Sequence, residues 1–364
     1  MGYQGKLHSV MLAAVVFVLA TMNPYAAADG GAAHQAEQPR PIALGTSGGN
    51  INDRSSLYCC SGTLGSLVED SVGNQYILSN NHVLARVNKA ALGEDINQPG
   101  QIDQSCGQTG IVADLSAFAT IQFKKGRTVP LNQVDAAIAS VRDGAVALDG
   151  SIIDIGPVSS QTVSAFVGQA VQKSGRTTGW TSGSVAAINV TVDVGYSKEC
   201  GGASNQIARF SNQIRVTPGA FSAGGDSGSL IVENGSVSPV DGLPRAVGLL
   251  FAGSSTSTIG NPIGAVLSRL SVSMAGGTSA KSDDASTSAN AKAIGRASAA
   301  LARNSAALFA KSGVVGHGIG LSASGKPVIE VYVTDDTAKS QPGLPKRLDN
   351  TPVHVIVTGP FEAF

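Results

Sequence analysis

Beyond residue 45 the chain alternates apolar and polar positions in short stretches broken by Gly, Asn and Asp. TLGSLVED (63–70), NQYILSNNHVLA (74–85), VDAAIASV (134–141), GSVAAINVTVDV (183–194), SGSLIVEN (227–234) and AVGLLFAG (246–253) read as strands. In this part helical spacing appears only at PIGAVLSRL (262–270), which predicts a short terminal helix. The run GGTSAKSDDASTSAN (276–290) is small and polar, the composition of a linker. After it, Ile294, Ala297, Leu301 and Leu308 follow one another at steps of three, four and seven, the spacing of a helix face. Ser305 interrupts that stripe, and Gly313 is the expected C-terminal cap. GVVGHGIGLS, KPVIEVYV and TPVHVIVTG then read as strands. The pattern predicts an all-β segment over 46–273, a linker over 274–290 and a small α/β module over 291–364. No internal repeat is evident.

The N-terminus is patterned differently. Lys6 and His8 precede the apolar run VMLAAVVFVLATM (10–22), and the small residues Ala26-Ala27-Ala28 follow it. This is the order of a secretory signal peptide, with cleavage expected after Ala28. The run is shorter than the roughly 20 residues that a spanning helix needs. A polar, Pro-containing segment occupies 29–45. Export would carry the mature chain out of the cytoplasm, to the periplasm or beyond, with no membrane association after cleavage.

Composition narrows the classes further. The 364 residues carry 25 Lys+Arg against 25 Asp+Glu, and only 14% are charged, so the basic face of a nucleic-acid-binding protein is missing. Hydrophobic residues make up 42%, enough to bury a core and to argue against disorder. The 45 glycines beside 5% aromatics suit short strands joined by tight turns. In an exported chain Cys59, Cys60, Cys106 and Cys200 read as disulfides rather than zinc ligands, because there is no CxxC and no His at ligand spacing. A bridge between adjacent Cys59 and Cys60 would be strained, so each should pair with one of the distant two, in either combination.

The candidate chemistry lies in the all-β segment. GGDSGS (224–229) sets Ser227 among glycines, where a hydroxyl can be presented on a tight turn. The backbone N–H groups of Gly225 and Ser227 are then candidate donors to an oxyanion. Of the five histidines only His82 lies in this segment, which makes it the candidate general base. Asp135 stands in the apolar strand QVDAAIASV, where burial against an imidazole N–H would compensate its charge; Asp114 and Asp154 occupy less enclosed contexts. The order His82, Asp135, Ser227 is the chain order of the chymotrypsin type, not of subtilisins or α/β-hydrolases.

With these residues and SGRTTGW (174–180), the sequence resembles the trypsin-like serine proteases, specifically the secreted bacterial branch that includes streptogrisin-like and α-lytic-like enzymes. The resemblance covers about 46–273 and implies two six-stranded Greek-key barrels with the triad in the cleft between them. It implies His82 as base, Asp135 as its orienter and Ser227 as nucleophile, with protein or peptide as substrate and no metal or other cofactor. It assigns the pocket for the side chain preceding the scissile bond to Phe221-Ser222-Ala223 and Phe251-Ala252-Gly253. Those segments contain no charged residue or His, so a small or apolar side chain is expected there. By the same resemblance Arg176 should form an internal ion pair with Asp226, making the mature chain competent without N-terminal processing.

The departures from that pattern mark a distant subfamily. Ala223 replaces a half-cystine, Ser229 a glycine, Ser182 one of the cysteines flanking the SGRTTG turn, and Asn80-Asn81 an Ala pair before the histidine. Two other readings are compatible with the same residues: a catalytically silent binding protein, or an esterase. Glu94, Asp95 and Asp103 make loop 93–104 acidic, and a solvated loop is expected there rather than a Ca²⁺ site.

Overall fold

Strands form where the alternation is clearest, and their inward residues fill two adjoining cores. The computed structural model describes residues 31–277 and 291–364; the expected signal peptide and residues 278–290 of the expected linker lie outside the described residues. The first elements are α1 (Ala32–Gln35), β1 (Thr46–Asn50), β2 (Gly62–Leu64), β3 (Ser66–Glu69), β4 (Gln75–Ser79), α2 (Asn81–Leu84), β5 (Asp95–Asn97), β6 (Ile111–Phe118), β7 (Leu131–Asn132) and β8 (Ala137–Val141). A second group comprises β9 (Ala170–Gly175), β10 (Gly179–Ser197), β11 (Ser204–Thr217), β12 (Leu230–Glu233), β13 (Ala246–Gly253), β14 (Thr258–Pro262), α3 (Ile263–Leu270) and β15 (Ser273–Met274). The last part holds α4 (Ala291–Phe309), β16 (Val314–Leu321), β17 (Pro327–Val333), α5 (Asp336–Ser340), β18 (Arg347–Leu348), β19 (Thr351–Val357) and β20 (Phe361–Ala363).

In the first sheet the order is β15-β3-β4-β8-β6-β5-β1-β2. Because β2 runs on into β3 across Gly65, the sheet closes on itself as a barrel, with β15 added at its rim. Leu64, Leu67, Ile77, Ile96, Leu115 and Ile138 are among its buried filling. In the second sheet β10-β9-β12-β13-β14-β11 are neighbours in that order, and the further β10–β11 pairing closes a ring of six. The two barrels expected from the resemblance are therefore present.

The module 291–364 is built as the pattern predicts, with one addition. Its strand β16 pairs antiparallel with β10 (Ile188↔Ile319, Thr191↔His317), so the module's sheet continues that of the second barrel. Arg215 of β11 reaches Glu330 of β17 at 2.9 Å across the junction, both nearly buried. The helix ends at Phe309, four residues before Gly313, which instead takes φ +69° in the turn into β16. Ser305 breaks the apolar stripe for a reason: its hydroxyl is 2.7 Å from Nε2 of the buried His317. Burial, with the Arg209 charge adding to it, pushes His317 down to about 4.

That depression has a sign. The unfolded imidazole takes up its proton near 6.5, the folded one only near 4, so between those values the unfolded state binds more protons and stability falls as pH falls. The module should lose about 3 kcal/mol between pH 7 and pH 4, and level off below. Hydrogen exchange of β16 across this range, with His317→Asn as the pH-insensitive comparison, checks the expectation.

Candidate active site

Ser227 stands in the turn Gly225-Asp226-Ser227-Gly228 ahead of β12. Gly225 and Gly228 take φ of +97° and +96°, and a Cβ on Gly228 would lie 2.2 Å from both Ser79 Oγ and Thr63 O. Only glycine fits such a close, left-handed position. The turn from the second barrel is thereby seated on the first: Thr63 N donates to Ser227 O at 2.8 Å, and Thr63 Oγ1 donates to Gly225 O at 3.0 Å. The Ser227 hydroxyl donates to the Phe251 carbonyl at 3.1 Å.

His82 lies on α2, the single turn that follows β4. The Asn pair before it is structural: Asn80 Nδ2 donates to Asp135 O and Asn81 Nδ2 to Ala119 O, each at 2.7 Å. Asp135 is fully buried. Its Oδ2 accepts from His82 Nδ1 at 2.6 Å and from Tyr196 Oη at 2.8 Å, while its backbone N–H donates to Asn261 Oδ1 at 2.9 Å. Burial, reinforced by the Asp135 charge, pushes the Tyr196 phenol well above its ordinary value, so it stays a donor. Burial also works to lower His82, but the Asp135 carboxylate outweighs it and the imidazole stands above its usual value. The other two carboxylates considered are occupied elsewhere, Asp114 with Arg142 and Asp154 with His34.

Tyr196, Asn80, Asn81 and Asn261 escaped the sequence reading as members of this network. For Asn80, Asn81 and Tyr196 the signal available was a polar or amphipathic group at the end of an apolar stretch; Asn261 offered none.

At the candidate oxyanion site, Gly224 O accepts from Thr177 Oγ1 at 2.7 Å. A trans peptide sets C=O and N–H on opposite sides, so the Gly225 N–H is turned away from Thr177. Among the described residues neither that N–H nor the one of Ser227 has an intramolecular acceptor.

The Arg176–Asp226 pair expected from the resemblance is not formed. Arg176 makes a two-pronged contact with Asp103, Nε to Oδ2 at 2.7 Å and Nη2 to Oδ1 at 2.6 Å. Asp226 is turned into the barrel interior, where Thr177 N, Thr178 Oγ1 and Ala223 N donate to it at 2.9, 2.7 and 3.0 Å. Its counter-charge is Lys173, whose Nζ lies 3.4 Å from Oδ2, with both side chains wholly buried. Burial lowers Lys173, and the Asp226 charge opposes that. The alternation held this clue, since Lys173 has the parity of the inward-facing Val171 on β9. The acidic loop is accounted for in the same way: Glu94 pairs with Arg86, Asp95 with Arg142 and Asp103 with Arg176.

The rings of the expected pocket segments do not line one cavity. Phe221 is buried in one core cluster and Phe251 in another, packed 4.8 Å from Phe210. Phe251 presents its carbonyl to the site, and Ser222 Oγ is held by Thr258 Oγ1 at 2.5 Å. Ala223, Gly224 and Gly253 do line a common cavity of about 440 Å³. The disulfides are Cys59–Cys106 and Cys60–Cys200, one of the two combinations left open by the sequence. Among the described residues no helix is long and apolar enough to cross a membrane.

The buried Asp135 carboxylate is oriented on the His82 imidazole, but no hydrogen bond joins His82 to Ser227: Nε2 faces the Phe364 oxygen at 3.0 Å, and the serine hydroxyl is bonded to Phe251. The chain is a distant relative of the trypsin-like bacterial serine proteases. It is 37% identical over 127 residues to glutamyl endopeptidase 2 of Streptomyces griseus, 33% of this chain and 58% of that protein. It is 40% identical over 92 residues to streptogrisin-A of Streptomyces griseus, 24% of this chain and 30% of that protein. It thus spans less than two thirds of either relative. Among solved structures, a serine protease specific for glutamic acid aligns with a TM-score of 0.42 at 24% identity, covering 64% of this chain and 100% of that one. No protein-family model matches the chain.

Proposed function

We propose that the chain is a secreted serine endopeptidase whose activity resides in residues 46–273. The observation that carries this reading is the buried contact of 2.6 Å from His82 Nδ1 to Asp135 Oδ2, next to the Ser227 turn. In the proposed cycle His82 Nε2 takes the Ser227 hydroxyl proton as Oγ attacks the peptide carbonyl. Asp135 and Tyr196 hold the imidazole tautomer, and the Gly225 and Ser227 N–H groups bind the developing oxyanion. His82 then protonates the leaving amine, and water hydrolyses the acyl-enzyme by the reverse sequence. The segments Phe221-Ser222-Ala223 and Phe251-Ala252-Gly253 offer neither a charge nor a histidine. That supports an apolar side chain before the scissile bond rather than the glutamate named for one relative. Secretion is supported by the N-terminal pattern and the two disulfides.

The test is incubation with a peptide library beside Ser227→Ala; cleavage by the parent and none by the variant is the expected outcome. A pH profile adds a second expectation. The base acts when neutral and its pKa is raised, so kcat/KM should climb with pH through a midpoint above 6.5. Asp135→Asn should cut kcat by about 10⁴ and move that midpoint down, since the raising charge is gone.

A further inference from the structure

The chain supplies its own ligand for the cleft. β20 runs antiparallel along β13, with Ala363 opposite Ala252 and Glu362 opposite Gly253. On its other side the same segment pairs with β10, Val194 against Phe361 and Gly195 against Glu362. It therefore bridges the far end of β10 and the edge of β13 left free beyond β12, and it ends beside His82. The main-chain oxygen of Phe364 lies 3.0 Å from His82 Nε2. The ring of Phe364 lies over Gly253, where an added Cβ would come within 2.3 Å of it, and packs against the cluster that contains Phe221 and Leu250. Two cavities flank the segment, of about 440 Å³ beside Ala223 and Gly224 and about 200 Å³ beside His82 and Cys60, and Phe364 lines both. Phe361 anchors the segment, buried and 6.1 Å from the Tyr332 ring of β17.

We infer that Phe361–Phe364 occupies the acyl side of the substrate cleft in the manner of a bound peptide. Residues 291–364 thus inhibit the site in cis, and the side chain it accepts before the scissile bond is aromatic. The inference rests on the endopeptidase reading for what the cleft does, but not for the occupancy itself. Three features favour it over a merely structural strand. Strand pairing leaves the edge of β13 with the main-chain partner an extended peptide would provide. The ring sits where Gly253 alone leaves room. His82 also faces an acceptor oxygen from each ring nitrogen, Asp135 on one side and Phe364 on the other, an arrangement that favours the doubly protonated ring. A base held in that form cannot take a proton from Ser227.

The experiment separates occupancy from catalysis. In the full chain carrying Ser227→Ala, a fluorescent peptide of sequence Phe-Glu-Ala-Phe is titrated with and without the further change Phe364→Gly. Binding at least tenfold tighter to the doubly substituted chain, with a melting curve that remains cooperative, is expected. Equal binding to both, or to neither, overturns the occupancy. In the catalytically intact chain, Phe364→Gly should raise both the rate of fluorophosphonate labelling and kcat/KM for peptides with Phe before the scissile bond by tenfold or more. Equal rates in parent and variant overturn inhibition in cis. Cleavage confined to sites after Glu, Lys or Arg overturns the aromatic preference. Tight tetrapeptide binding without any labelling would leave the occupancy standing and fell the endopeptidase reading alone.

Discussion

Ser227→Ala is expected to lower turnover by about four to six orders of magnitude while leaving the protein folded. The hydroxyl makes one intramolecular hydrogen bond, to the Phe251 carbonyl, whereas the turn is held by main-chain contacts that alanine preserves. The stability cost should therefore stay near that of one hydrogen bond, about 1 kcal/mol. What remains of the rate should come from the oxyanion donors and from substrate binding. Single-turnover assays with a chromogenic peptide and a melting curve on the same sample measure both quantities. A folded Ser227→Ala that cleaves at the parental rate would remove Ser227 from the mechanism.

The second large effect is on stability, and it falls on Lys173. Lys173→Met should cost about 3–5 kcal/mol, because Asp226 would be left charged and buried without its cation. Four hydrogen-bond donors would still face that carboxylate, but none carries a charge. Adding Asp226→Asn to Lys173→Met should recover a large part of the loss, since the orphaned charge is then gone. Arg176→Ala breaks a pair on the rim, where Arg176 is 12% and Asp103 8% exposed, and should cost less than Lys173→Met. Urea titrations of the four proteins rank these expectations. An Arg176 variant less stable than Lys173→Met would return the supporting role to the arginine.

Much of the architecture was legible because alternation and helical period are local properties. Val171 and Lys173, or Ile294 and Leu301, declare their faces from spacing alone. His82, Asp135 and Ser227 were found by elimination and order, since one histidine and one enclosed acid were available to one glycine-flanked serine. Partner choice was harder to read. Arg176 and Lys173 are three residues apart, and only the parity of β9 tells which of them reaches the interior with Asp226. The union of β10 with β16 joins residues more than a hundred positions apart, and neither strand's pattern names its neighbour. Phe361–Ala363 is too short for a period to show, so a strand that leads to His82 passed as an unremarked tail.

The adjacent half-cystines have a mechanical consequence. Cys59 is bridged to Cys106 within the first barrel, while Cys60 is bridged to Cys200 at the tip of the β10–β11 hairpin. That hairpin carries the module through β16 and, further along the same edge of β10, borders β20. The two bridges therefore act as a short leash between the wall that bears His82 and the arm that bears the module. When Phe361–Phe364 is withdrawn from the cleft, the bridge at Cys200 still ties the hairpin beside it to the first barrel. A displaced segment thus stays within reach of its groove, at a high effective concentration that a dissolved competitor must outmatch.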